Sequence, residues 1–291
     1  MRKLECRGRC SAIEPWHAVV MTTVVMMVLG CALSGCGSGE EQDLPNTGPA
    51  VVQGGGAPQE PQVSPDEVDE RIRRLVSSEF PTLTDENSEA FLTEWGAKQA
   101  LSNLRIMTEF GPVEIQLFDD VPIHRANFLY KVYRGYYDPT ELTRVVPDFV
   151  VQGGNSEEER PQQLRFLIGR HTLPAELDDN HIHVRGALAM SRSYSDNPDK
   201  RSSAYDFYIV TGRNVGEKEL ARLERDRGWS YSEDQRRMYR EEGGTPHLDG
   251  EHTVFGRVVS GMEAVDKLAA TPTDDSDWPL TRLEMRIAWP E

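Results

Sequence analysis

Leu142-Thr143-Arg144-Val145-Val146-Pro147-Asp148-Phe149-Val150-Val151-Gln152-Gly153-Gly154 is the stretch on which the reading of this 291-residue chain turns. Its alternating apolar and β-branched residues predict a strand over Leu142 to Gln152, and the glycine pair predicts a tight turn after it. A strand of this composition sets a planar cation, Arg144, beside an apolar surface on a rigid element. Taken alone, such an arginine is a surface ion-pair partner and Phe149 is an ordinary core aromatic. The rest of the chain decides between the two readings.

On either side of this stretch the pattern is mostly strand. Leu104-Ile106 and Val113-Ile115-Leu117 alternate around Phe110-Gly111-Pro112 and predict a hairpin. Arg165 to Ile168, Gly186 to Met190, Phe207 to Val210, Thr253 to Val259 and Leu283 to Ile287 are further strand candidates. Helical spacing marks Ile123 to Arg134 and Met262 to Leu268. Many short strands and few helices predict a closed antiparallel sheet. Residues 212–244 break the strand pattern. They carry Leu220 and Leu223 at helical spacing and a capping box at Ser232 to Gln235, which predicts a helical insertion.

The N-terminal third reads differently. Arg2, Lys3, Arg7 and Arg9 precede an uncharged run from Ala18 to Leu33, and small residues lead into Cys36. The run is 16 residues long, shorter than the ~20 that span a bilayer core. Residues 1–35 are therefore expected to be a signal peptide; an uncleaved anchor is the alternative. Leu33-Ser34-Gly35-Cys36 resembles a bacterial lipobox, which implies lipidation of Cys36 and a bilayer partner; Val28-Leu29-Gly30-Cys31 is a poorer candidate. All four cysteines lie at or before residue 36, so the mature part can form neither a disulfide nor a cysteine metal site. Gly37 is not the aspartate that retains some lipoproteins at an inner membrane. The expected place is the cell envelope, at the periplasmic side of the outer membrane. Residues 36–63, rich in Gly, Pro, Gln and acids, read as a flexible tether. Residues 64–103 read as a helical extension, with one helix opening at Ser64-Pro65-Asp66-Glu67 and a second over residues 88–101.

Charge narrows the partners. The chain carries 32 basic and 48 acidic residues, a net charge of −16. Without the leader it has 28 against 46, or −18. Nucleic-acid binding, which needs a cationic footprint, is excluded as the expected function. His181-Ile182-His183 with nearby acids, and Asp274-Asp275-Ser276-Asp277, are the weak metal candidates. Neither has a full ligand spacing, and the second reads as a solvated loop.

From residue 104 to 291 the chain resembles the cyclophilin family of peptidyl-prolyl isomerases. The resemblance rests on five runs in the family's order: Gly135-Tyr136-Tyr137-Asp138, the Arg144 stretch, Gly186-Ala187-Leu188-Ala189-Met190, Phe207-Tyr208-Ile209-Val210 and Leu248-Asp249-Gly250-Glu251-His252-Thr253-Val254-Phe255-Gly256. It implies an eight-stranded antiparallel barrel capped by two helices, and catalysis of Xaa-Pro rotation on unfolded or extended exported chains without metal, cofactor or nucleophile. By the same resemblance, Arg144 is the catalytic cation and Phe149, Val150, Tyr208 and Leu248 line the proline pocket. Gln152 binds peptide backbone, Met190 and Ser191 flank the groove, and His252 is the pocket histidine. Three positions depart from the family. Leu142-Thr143 replaces a Phe-His pair, Asp206 replaces a glutamine and His247 replaces a tryptophan. A carboxylate at Asp206 is expected to pair with Arg144, either turning it from substrate or orienting it. This implies reduced but measurable isomerase activity; a module that binds proline-containing segments without catalysis is the alternative.

Overall fold

The computed structural model describes residues 79–228 and 230–290. The expected leader, Cys36, the tether and the helix opening at Ser64 lie outside the described residues. No helix among the described residues is long and apolar enough to cross a membrane.

The predicted hairpin forms as β1 (Asn103–Thr108) and β2 (Gly111–Leu117), with Leu104 opposite Ile115 and Ile106 opposite Val113. Period-two alternation puts these four side chains on the core face. The decisive stretch is not one strand but two: β3 (Thr140–Val146) and β4 (Val150–Gly153). Pro147 and Asp148 turn the chain between them. Asp148 takes a φ of 58° and Phe149 N–H returns to the Val146 carbonyl at 3.2 Å. Proline followed by a left-handed residue is the geometry of a type II turn.

Residues Arg165 to Ile168 are helical, not strand. They end α3 (Glu159–Ile168), which follows α1 (Ser88–Gly96) and α2 (Pro122–Tyr133) in the chain. A run this short, with three apolar residues after Arg165, cannot be told from a helix by composition. The arbiter is burial: Leu164 and Ile168, four apart, are buried, while Phe166 is 83% exposed. After a two-residue β5 (Thr172–Leu173) come β6 (Ala187–Met190), a two-residue β7 (Ser202–Ser203) and β8 (Phe207–Val210). The insertion supplies α4 (Glu217–Arg227) and α5 (Glu233–Glu241). Its capping box is present at Ser232 and Gln235. A 3₁₀ turn (Pro246–Leu248), β9 (Val254–Ser260), α6 (Met262–Ala269) and β10 (Leu283–Arg286) complete the fold.

Eight strands close into a barrel in the order β1-β10-β3-β4-β8-β6-β9-β2, every pairing antiparallel. Inside it Val145, Val151, Leu188, Met190, Phe207, Ile209 and Phe255 form one core with the buried faces of α2 and α6. Phe128 of α2 meets both Phe207 and Phe255 with ring centroids 5.3 Å apart. The short helix α1 adds an aromatic cluster, with Phe91 and Trp95 edge-on to Tyr130. It lies close enough to α2 that a Cβ on Gly96 would sit 2.5 Å from that of Ala126.

α2 also buries an amine. Lys131 is fully buried, hydrogen-bonds Asn127 Oδ1 at 2.7 Å and lies 4.6 Å over the Tyr205 ring. Burial, then the Arg134 charge, hold its pKa well below the usual lysine value. The unfolded chain therefore binds a proton that the folded one lacks, between the lowered value and the ordinary one. Stability rises with pH across that window and is lost as pH falls through it. Relative to Lys131→Met, the melting temperature of the wild type is expected to climb as pH rises toward the ordinary lysine value of about 10.5. A pH-independent difference would contradict an uncharged Lys131.

Candidate active site

A bulge in β3 creates the site. Leu142 pairs with Gly153 and Arg144 pairs with Gln152, so Thr143 is an extra residue on its strand. Without it, Leu142 and Arg144 would share a face. With it, Leu142 joins the interior core while Arg144 turns outward, 40% exposed. Gly153 makes room for the bulge: a Cβ there would lie 2.8 Å from both the Glu141 carbonyl oxygen and Leu142 Cδ2.

Register carries that outward face across the sheet. Arg144 lies opposite Gln152, Gln152 opposite Tyr208, Tyr208 opposite Ala189, and Ala189 opposite Val254. Directly opposed residues point to the same side with Cβ atoms about 5 Å apart. The row therefore places a guanidinium, an amide and a tyrosine ring side by side. Val150, Ala187, Ala189, Tyr208, Val210, Leu248 and Val254 form an apolar cluster on this outer face, separate from the interior core, with Phe149 packed against it. Arg144 Cζ is 5.8 Å from the Phe149 ring centroid. The His247 ring stacks on Phe149 at 5.5 Å and 20°, taking the place expected of a larger aromatic.

The other expected residues fall out as follows. Val150 and Leu248 are in the outer cluster and Gln152 is half-buried in the row. Ser191 sits at the end of β6, its N–H donating to the Asp206 carbonyl at 2.9 Å. His252 is edge-on to Tyr208 at 5.7 Å. Its Nδ1 donates to the Met190 carbonyl at 3.2 Å and its Nε2 accepts from the Tyr194 hydroxyl at 2.8 Å. Met190 does not flank the groove with its side chain. Strand alternation turns it into the barrel core, fully buried, while its neighbour Ala189 faces out.

The carboxylate on Arg144 is not Asp206. Asp206 accepts the Ser203 hydroxyl at 2.6 Å, and burial raises its pKa against the opposing pull of Ser203, Arg165 and Asn155. The partner is Asp277, whose Oδ2 accepts from Arg144 Nη2 at 3.0 Å and Nε at 3.2 Å. Asp277 stands at a φ of 63°, and its carbonyl accepts the Val145 N–H at 2.9 Å. Asp274 builds the turn beneath it by accepting the N–H groups of Ser276 and Trp278. The acidic run is thus an exposed turn, as expected of a solvated loop, with Asp277 set against β3. Because Arg144 and Asp277 are 133 residues apart, no local pattern signals their meeting. His181 and His183 also part company, His181 meeting Asp120 and His183 meeting Asp249.

The sequence model of the family described as cyclophilin type peptidyl-prolyl cis-trans isomerase/CLD matches residues 103–288. A Staphylococcus aureus (strain USA300) protein, provisionally named a peptidyl-prolyl cis-trans isomerase, is 32% identical over 174 residues, covering 60% of this chain and 83% of that one. A Streptococcus pyogenes protein, provisionally named a bifunctional phosphatase/peptidyl-prolyl cis-trans isomerase, is 33% identical over 179 residues; the match spans 60% of this chain and 35% of that protein's length. Among solved structures, a Cryptosporidium parvum cyclophilin type peptidyl-prolyl cis-trans isomerase matches at 22% identity and a TM-score of 0.46, over 65% of this chain and 99% of that one. With a match over most of its length and a barrel built around the Arg144 row, the chain belongs to the cyclophilin-type peptidyl-prolyl cis-trans isomerase family.

Proposed function

We propose that this chain catalyses Xaa-Pro rotation in extended segments of exported proteins, with Arg144 as the catalytic cation and the outer apolar cluster as the proline pocket. The observation that carries the reading is the bulge-set row, which holds a guanidinium beside Tyr208, Val150, Phe149 and Leu248. Unaided rotation faces a barrier of ~18–20 kcal/mol, because it breaks amide resonance. In the twisted state the prolyl nitrogen lone pair is localised and basic. A fixed N–H donor binds it better there than in the planar ground state, and only such differential binding lowers the barrier. Each ~1.4 kcal/mol gained is a tenfold rate increase.

Asp277 orients this donor rather than removing it. The pair is 40% and 41% exposed, and ion pairs at such sites contribute roughly 0–1 kcal/mol. That is enough to bias the side chain and too little to hold it from a bound peptide. Two donors of the five-donor fork face Asp277, and the others remain for substrate. The lipobox resemblance at Cys36 supports a lipid-anchored place in the cell envelope, with residues 36–63 as the tether. Metabolic labelling with palmitate tests this: label lost in Cys36→Ser is expected, and label retained would refute that anchor.

Exchange NMR on a short Ala-Pro peptide tests the catalytic reading. Arg144→Ala is expected to lower kcat/KM by about 10²–10³-fold, the loss typical of one transition-state donor. An unchanged rate would remove Arg144 from the mechanism. Asp277→Asn is expected to lower kcat/KM by about threefold to tenfold with little change in stability; a faster enzyme would mean that Asp277 sequesters the guanidinium. Burial pushes the His252 pKa down to about 4, below its unfolded value, so the pocket histidine is neutral at neutral pH. Its contribution to stability is lost as pH falls from about 6.5 to about 4. An NMR titration of His252 is expected to show a midpoint near this lower value, and a midpoint above about 6 would contradict its burial.

A further inference from the structure

Behind the pocket lies a buried polar chain that the isomerase mechanism does not use. The Tyr208 hydroxyl is 3.0 Å from His183 Nε2. Asp249 Oδ1 accepts from His183 Nδ1 and from the His183 backbone N–H, each at 2.8 Å. Asp249 Oδ2 accepts the hydroxyls of Tyr231 at 2.9 Å and Tyr239 at 2.5 Å. His183 and Tyr239 are fully buried, and Asp249 and Tyr208 are each 3% exposed. Two of the four donors on this carboxylate belong to the insertion: Tyr239 lies on α5, and Tyr231 lies between α4 and α5. Arg227 of α4 adds a bond to the Asp249 carbonyl at 3.1 Å. The insertion also has its own small core, in which Leu220, Tyr231 and Tyr239 pack with Ile182 and Val215 beside His183.

Donor and acceptor counting fixes the direction of the chain. A carboxylate only accepts, so a neutral His183 carries its proton on Nδ1 and leaves Nε2 to accept. The Tyr208 hydroxyl must then donate to it, which sets the ring whose face walls the proline pocket. Asp249 directly follows the 3₁₀ turn bearing His247 and Leu248, so the same carboxylate anchors a second wall.

We propose that the two-helix insertion at residues 217–241 is a positioning element of the proline pocket, with Tyr231 and Tyr239 acting through Asp249 and His183 on Tyr208. The proposal rests on the reading of Tyr208 as a pocket wall. Because a pocket wall holds ground and transition states alike, losing its support raises KM and spares kcat. A network serving the fold alone would lower the melting temperature without moving KM.

The test is a double-mutant cycle in the exchange assay with an Ala-Pro peptide. Tyr231→Phe with Tyr239→Phe keeps both rings and removes both hydroxyls. It is expected to raise KM about fivefold with kcat within about twofold. In a Tyr208→Phe background the same pair is expected to raise KM less than half as much, what remains passing through the 3₁₀ turn that Asp249 anchors. An equal rise in both backgrounds, or no rise in the wild-type background, would overturn the proposal. Nitrogen-15 spectra of the wild type are expected to show His183 protonated at Nδ1; protonation at Nε2 would overturn it without reference to activity. A wild type with no catalysis would count against the isomerase reading instead. The cycle is then read through peptide Kd by chemical-shift titration, with the same expected ratio.

Discussion

Everything at this site depends on one extra residue in a strand. Thr143 breaks the two-residue period of β3, so Leu142 fills the barrel while Arg144 faces out. From there the antiparallel register places Gln152, Tyr208 and Ala189 beside the guanidinium on successive strands. The hydrogen-bonded ladder of a closed barrel spaces these groups, so the row is as rigid as the fold. A reaction that needs only a fixed donor and an apolar seat is well matched to such a wall, since the cost of preorganisation is met during folding.

The strands set the row, and the surrounding segments hold its members. Asp277, delivered by the turn before β10, restrains Arg144 from one side while leaving part of its fork open. The insertion, through Tyr231, Tyr239 and Asp249, reaches the opposite wall. The two supports differ in strength. The Arg144 pair is solvent-accessible and weak, as the proposed engagement of a peptide by this side chain requires. The Asp249 network is buried and fully bonded, suited to a wall that must stay in place.

Sequence reading recovers the barrel because strand alternation and turn residues are local signals. The hairpin of β1 and β2, both capping helices and the insertion's capping box are legible in this way. It fails where local patterns are degenerate. Residues 165–168 are apolar enough for a strand, and only the burial of Leu164 and Ile168 reveals a helix. The turn at Pro147-Asp148 hides inside a run of β-branched residues. Strand period alone, without the family resemblance, would have sent Met190 inward as observed. The larger gap is in the polar partners. Asp277 lies 133 residues from Arg144, and Asp249 lies 66 from His183. Asp206, near Arg144 by analogy of position, turns to Ser203 instead. Proximity across a barrel is set by strand order, which composition and spacing do not encode.

The most direct measurement of the central claim is a crystal structure with an Ala-Pro-containing peptide bound. The account predicts the proline ring against Tyr208, Val150, Phe149 and Leu248, with an Arg144 N–H within hydrogen-bonding reach of the prolyl amide. A peptide seated elsewhere, or one bound there while Arg144 stays wholly engaged by Asp277, would contradict it.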